Sequence, residues 1–166
     1  MPLSRLVIAL CCAVWLVIFC NPLAQAQEPE IRVAFPTQPR QIIKMPVEEY
    51  LLGVLAAEIP PTWPQAALEA QAVASRSYAL YRKAHPRSPD YDLLAGVGDQ
   101  AYQFQDTYSA DLAQAVKATR GRVLIWQGDV IPAFFHSCCG GHTEAASRVW
   151  AWATSYPFYQ IFSQVF

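Results

Sequence analysis

The sequence predicts an α+β domain in which helices pack on a small antiparallel sheet that includes a β-hairpin. Three observations predict it: apolar residues at helical spacing from Val47 to Glu58 and again after Trp63, an apolar/polar alternation at Ile31-Arg32-Val33-Ala34-Phe35, and a Gly128-Asp129 turn between two strand-like runs. The chain has 166 residues, 54% of them hydrophobic and 15% charged, which fits one packed domain and excludes a disordered tail or linker. A formal net charge of −1 with no basic cluster excludes nucleic-acid binding, which needs a positive surface to neutralise phosphates.

Residues 1–26 read as a secretory signal peptide. Arg5 is their one cation, Leu6 to Phe19 is uninterruptedly apolar, and Ala24-Gln25-Ala26 offers a small-x-small cleavage site. The apolar run is short of the ~20 residues that cross a bilayer, so export to the periplasm, cell envelope or medium is expected, with residues 27–166 as the mature domain. Cys11, Cys12 and Cys20 leave with the leader. Only the adjacent Cys138 and Cys139 remain, which is no disulfide framework, so stability must come from a packed core.

The alternation at residues 31–35, set among Pro29, Pro36 and Pro39, predicts a half-buried edge strand. Met45-Pro46 then opens a helix whose Val47, Leu51, Val54, Leu55 and Glu58 form one stripe, with Glu48 and Glu49 favouring the positive end of its dipole. Ile59-Pro60-Pro61 stops it. A second helix, capped by Thr62 or Trp63 with Pro64 in its first turn, runs to about Arg82 or Lys83. It is rich in alanine, and it places Arg76 in the row of Leu68, Ala72 and Leu80, while Gln71, Ser75 and Tyr78 share another face. Residues 85–98 read as a loop. A third helix over residues 109–119 ends at Gly121, and the hairpin around Gly128-Asp129 follows.

Glu58 is the strongest candidate for proton transfer. It lies on the apolar stripe in the last turn of its helix, where desolvation and the negative dipole end both favour the neutral acid that a proton donor needs. A structural ion pair with a core cation is the competing reading. Arg76 is the natural partner, since a guanidinium in an apolar row must find an acceptor or reach solvent. A tight bidentate pair would spoil Glu58 as an acid, whereas an Arg76 held slightly away would bind substrate. Spacing leaves both open.

After the hairpin, His136-Ser137-Cys138-Cys139-Gly140-Gly141-His142-Thr143 brings imidazole, hydroxyl and thiol groups to one glycine-bearing loop. A Cys/His nucleophile, a metal site and a substrate-binding loop compete for it. Adjacent thiols fit zinc spacing poorly, and no orienting third group for a thiol nucleophile is evident, so a binding loop is favoured, with no metal and no cofactor. Trp63, Tyr78, Tyr102, Trp126, Trp150 and Trp152 offer flat faces for sugars, although the commoner fate of aromatics is the core.

These residues carry a family resemblance. Met45-Pro46-Val47-Glu48-Glu49-Tyr50-Leu51-Leu52-Gly53-Val54-Leu55-Ala56-Ala57-Glu58-Ile59-Pro60, Trp63-Pro64, Ala67-Leu68-Glu69-Ala70-Gln71-Ala72-Val73-Ala74-Ser75-Arg76-Ser77-Tyr78-Ala79, Asp99-Gln100-Ala101-Tyr102-Gln103, Thr119-Arg120-Gly121 and the loop at residues 136–143 together resemble the SpoIID/LytB domain of bacterial cell-wall proteins. The resemblance implies a lytic transglycosylase that cleaves peptidoglycan glycan strands, with Glu58 as catalytic acid and Arg76 in the active site. It also implies substrate contacts from Gln71, Ser77, Tyr78, Gln100, Tyr102, His136, Ser137, Cys139, Gly140, Gly141 and Thr143. A single carboxylate suffices for such an enzyme, because the muramic acid 6-hydroxyl replaces water as nucleophile. Asp99 is the best-placed second acid. A non-catalytic wall-binding module or amidase enhancer, partnered with another wall hydrolase, is the alternative.

Two departures from the family pattern stand out. Gly98-Asp99 occupies the place where some members carry His and Cys zinc ligands, so zinc is not expected. The family also continues past the Tyr156-Pro157 region, whereas this sequence stops at Phe166 in an apolar tail, the expectation for a truncated and inactive fragment.

Overall fold

The structure is a computed structural model that describes residues 28–36, 40–136, 145–149 and 153. The expected leader at residues 1–26 and most of the loop at residues 136–143 lie outside the described residues. Strand β1 (Glu30–Phe35) buries Ile31, Val33 and Ala34 completely. It pairs antiparallel with β2 (Gln41–Pro46), from Glu30 opposite Pro46 to Phe35 opposite Gln41, and parallel with β3 (Leu93–Leu94). The order β2-β1-β3 puts β1 in the middle, which corrects the expected edge strand, and the parallel pair makes the sheet mixed.

Side chains explain the parallel strand. Asp92, buried just before β3, accepts from the Arg32 backbone N–H at 2.8 Å and from its Nη2 at 2.6 Å, while the Asp92 N–H donates to the Arg32 carbonyl at 2.8 Å. The hydrogen-bonded carboxylate raises the Arg32 pKa. Two residues of strand are thereby fastened beside β1 with no periodic signal of their own.

Helix α1 (Val47–Glu58) starts directly from β2. Pro46 forms its N-cap without a side-chain bond, and the Glu48 N–H is satisfied by Glu28 Oε1 at 2.9 Å. At the other end Ile59 is extended at φ −141°, as a residue before proline must be. Helix α2 (Gln65–Ala84) begins one residue after Pro64, which sits at the N-cap rather than in the first turn. Helix α3 (Ala110–Ala118) is capped by Ser109 Oγ, which accepts from the Asp111 N–H at 3.3 Å; Gly121 follows at φ 71°.

Helix α1 is buried on two sides. Val47, Tyr50 and Val54 meet Ile31, Val33, Ala79 and Leu93 beneath the sheet, whereas Leu51 and Leu55 meet Leu68, Ala72, Leu112, Ala115 and Val116 between the helices. Its N-terminal Glu48 and C-terminal Glu58 therefore emerge at opposite ends of a fixed rod.

Strands β4 (Ile125–Trp126) and β5 (Asp129–Val130) form the hairpin, followed by the short α4 (Ala146–Val149). The register pairs Trp126 with Asp129, so the turn is Gln127-Gly128, one residue earlier than expected. Both turn residues have positive φ, 52° and 93°, the geometry that matches strand twist in tight hairpins. Among the described residues no helix is long and apolar enough to cross a membrane.

Candidate functional site

Glu58 is half-buried at the end of α1, and its position is set by the segment Asp99-Gln100-Ala101-Tyr102-Gln103, which straps across that helix. The Ala101 N–H donates to Glu58 Oε1 at 2.8 Å, and two residues on the Gln103 N–H donates to the Gly53 carbonyl at 3.0 Å. Gln100, 1% exposed, accepts from the Tyr50 hydroxyl at 3.2 Å and donates to the Ser75 carbonyl at 3.4 Å. Tyr102 stacks on Tyr50 at 5.6 Å and meets Phe35 edge-on at 5.3 Å. Every residue of the strap is thus anchored, and one product of that anchoring is a fixed carboxylate. Glu58 Oε2 makes no hydrogen bond among the described residues, and no cation pairs with it there.

Gly53 is what lets the strap lie so close. A Cβ at this position would fall 2.3 Å from Tyr102 Cε2 and 2.5 Å from Cζ. The ring cannot yield without leaving both Tyr50 and Phe35. Gly53→Ala is therefore expected to destabilise the fold by about 1–3 kcal/mol, an overpacking cost that exceeds the roughly 1 kcal/mol alanine gains over glycine in a helix. Urea unfolding checks it; a variant as stable as the parent would mean that the strap is not held by this contact.

Arg76 is not brought to Glu58. Its side chain is fully buried and takes Glu48 as a bidentate partner, Nε to Oε1 at 2.8 Å and Nη2 to Oε2 at 2.7 Å, with Nη1 donating to the Arg122 carbonyl at 3.1 Å. Thr119 Oγ1 and the Val116 carbonyl complete the shell. A guanidinium with no exposure cannot touch a substrate, so the expected active-site role is replaced by a structural one: Arg76 joins the start of α1 to the end of α3.

Asp99 is likewise spoken for. Its carboxylate, with no solvent exposure, accepts from Tyr78 Oη, from Arg87 Nε at 2.9 Å and from the Leu94 N–H at 2.8 Å. Burial, then this hydrogen bond, pushes the Tyr78 hydroxyl well above its ordinary pKa of 10.0, and burial does the same to Tyr50. The bond to Asp99 raises the Arg87 pKa. Asp99 is a junction of the fold rather than a second reactive acid.

Other expected contact residues turn inward. Ser77, fully buried, donates to the Val73 carbonyl at 2.6 Å and accepts from the Leu124 N–H at 2.8 Å, pinning the hairpin to α2. Tyr78 is 6% exposed, and Gln71 is half-buried and donates to Ser75 Oγ at 3.1 Å. Tyr102 is half-buried and His136 exposed, so both are reachable. Ser137, Cys139, Gly140, Gly141 and Thr143 lie outside the described residues. Sequence reasoning missed the Ala101 N–H, because a backbone donor leaves no mark on residue type, and it missed Tyr50 and Gly53, whose partners are some fifty residues away in the strap.

One pocket of about 600 Å³ surrounds Arg82 and Phe134 and another of about 320 Å³ surrounds Trp126 and His85; Glu58 lines neither of these. Among the described residues no group of three or more His, Cys, Asp or Glu could hold a metal ion.

Comparison with known proteins adds a lineage. The model of a family described as SpoIID, Stage II sporulation protein, matches residues 37–126, more than half the chain, and so takes in Glu58, Arg76 and the strap but not His136. An uncharacterised protein of Brachyspira hyodysenteriae is 38% identical over 112 residues, covering 66% of this chain and 30% of that protein. The amidase enhancer of Bacillus subtilis is 37% identical over 108 residues, 64% of this chain and 14% of the enhancer. Stage II sporulation protein D of the same organism is 28% identical over 141 residues, 74% of this chain and 40% of that protein. This chain therefore spans less than half the length of each of these relatives.

Proposed function

Because the chain belongs to the SpoIID family of stage II sporulation proteins, we propose that it acts on the bacterial cell wall as a lytic transglycosylase, cleaving peptidoglycan glycan strands with Glu58 as the single acid and base. The observation that carries this reading is the carboxylate itself: half-exposed, held at one oxygen by a backbone N–H, and with its other oxygen unengaged among the described residues. Glu48, on α1's first turn, and Asp99, on the strap, are committed to arginines. With neither of these free to act beside Glu58, the reading favours an internal nucleophile over the water-activating pair a hydrolase ordinarily uses.

In this mechanism Glu58 gives its proton to the glycosidic oxygen as the bond to the muramic acid C1 breaks. The same carboxylate then takes the proton of the muramic acid 6-hydroxyl, whose oxygen attacks C1 and closes a 1,6-anhydro ring. Glu58 ends as it began, and no water is consumed. Tyr102, half-buried on the strap, and the exposed His136 are the contacts we assign to the glycan strand. The protein would work outside the cytoplasm, past a leader cleaved near Ala26.

A second reading rests on the amidase enhancer relative: a wall-bound module that stimulates a partner hydrolase without cutting glycan. The products decide. Peptide-free strands incubated with the protein and examined by mass spectrometry should yield 1,6-anhydromuramic ends. Ends carrying added water would replace the mechanism with hydrolysis, and intact strands retained by the protein would favour the enhancer.

A further inference from the structure

The pocket of about 600 Å³ beside the C-terminal half of α2 has an excess of positive charge that the fold does not use. Arg82 and Arg87 both face Asp99, the one carboxylate among the described residues of the lining, and Arg87 takes its two oxygens at 3.0 and 2.9 Å while also donating to the Gly98 carbonyl at 2.6 Å. Tyr78 and the Leu94 N–H use what acceptor capacity is left. Arg82 consequently stops 3.6 Å from Asp99 Oδ1, and its Nε is buried without a hydrogen-bond partner among the described residues. Such a donor is rare in a finished fold, because its desolvation goes uncompensated. The surrounding walls are aromatic: Tyr78 and Phe134 meet edge-to-face at 5.7 Å, and Tyr81 lines both this pocket and its smaller neighbour.

From this geometry we infer that the pocket is a binding site for a carboxylate carried on a body with an apolar face. An incoming carboxylate supplies the acceptor that Arg82 lacks, and its planar oxygens match the guanidinium fork. Asp99 holds Arg87 in place and leaves the pocket one positive charge in excess, so it selects for an anion without being neutralised twice. The ligand's apolar face lies against Tyr78, Tyr81 and Phe134. On the glycan reading above, on which this choice of source rests, the carboxylate is the lactyl group of muramic acid; the terminal carboxylate of a wall peptide is the other source of the same chemistry.

Calorimetric titration of the full chain at low salt separates these. N-acetylmuramic acid should bind, more weakly as salt rises, and at least about tenfold more tightly than N-acetylglucosamine, which lacks the carboxylate. Arg82→Gln should weaken that binding about tenfold or more with the thermal melt retained. Should that variant fail to fold, Arg82→Lys, which keeps the charge and loses the fork, should show an intermediate loss. Equal binding of the two sugars, or binding unchanged by either substitution, overturns the site. Binding of N-acetyl-D-alanyl-D-alanine with none of N-acetylmuramic acid overturns the sugar as the source. Because binding is read without turnover, its failure and a failure to find anhydro products are separate results.

Discussion

Glu58→Gln is expected to lower glycan cleavage by about a thousandfold while leaving the fold as stable as the parent, the middle of the range that a positioned general acid contributes. Glutamine is isosteric and keeps an acceptor for the Ala101 N–H, the one hydrogen bond that Glu58 makes among the described residues. What it lacks is the proton. Release of anhydromuramic product over time checks the loss, and a urea titration checks that stability moves by less than about 1 kcal/mol, as for other substitutions that break no buried contact. Glu58→Asp should also be slow, by roughly a hundredfold, because retracting the carboxylate by one methylene moves the proton about 1 Å from where it is transferred. A Glu58→Gln protein that cleaves within tenfold of the parent would place the acid elsewhere and end the assignment of Glu58 as proton donor.

The helices were legible because their signals are local. Val47, Leu51, Val54 and Leu55 repeat at the α period, Pro60 and Gly121 terminate, and each rule acts within a few residues. The sheet was less legible for the opposite reason. Strand β3 exists because Asp92 grips Arg32 sixty positions away, and two leucines in a loop carry no trace of that. Strand β2 was hidden too: Ile42 and Ile43 are consecutive and both exposed, so they break the alternation by which a half-buried strand is recognised. At the hairpin the composition pointed to Gly128 but not to which neighbour shares the turn, and Gln127, at positive φ, takes the turn position that Asp129 was expected to fill.

At the site, periodicity found both Glu58 and the demand that Arg76 makes, and it weighed only Glu58 as the partner. Glu48 and Glu58 share one helix, and residue type does not say which end of it α2 presents its arginine to. Glu48 already had an explanation as a favourable charge at the helix start, so its second role went unseen. The consequence for function is simple: among the described residues the acid at one end of α1 is left without a cation, while the acid at the other end has taken Arg76.

That division of labour sets the largest effect on stability. Arg76→Met is expected to cost about 3–5 kcal/mol, the usual penalty for removing one member of a buried ion pair. Glu48 would lose both short bonds and keep only the Gly121 N–H at 3.5 Å, while the Arg122 and Val116 carbonyls would lose a donor. Against the ~5–15 kcal/mol that holds a domain of this size, such a loss removes about a fifth or more of the margin. Pairing the change with Glu48→Leu should recover most of it, since two apolar groups in a dry site no longer need partners. Urea midpoints for the two single variants and the double variant form the required cycle. Cleavage supplies the discriminating readout: below its own melting transition, Arg76→Met should keep a kcat close to that of the parent, because its guanidinium faces Glu48 and not the strand. A variant that is fully folded yet inactive would return Arg76 to the active site and require this clamp to open in solution.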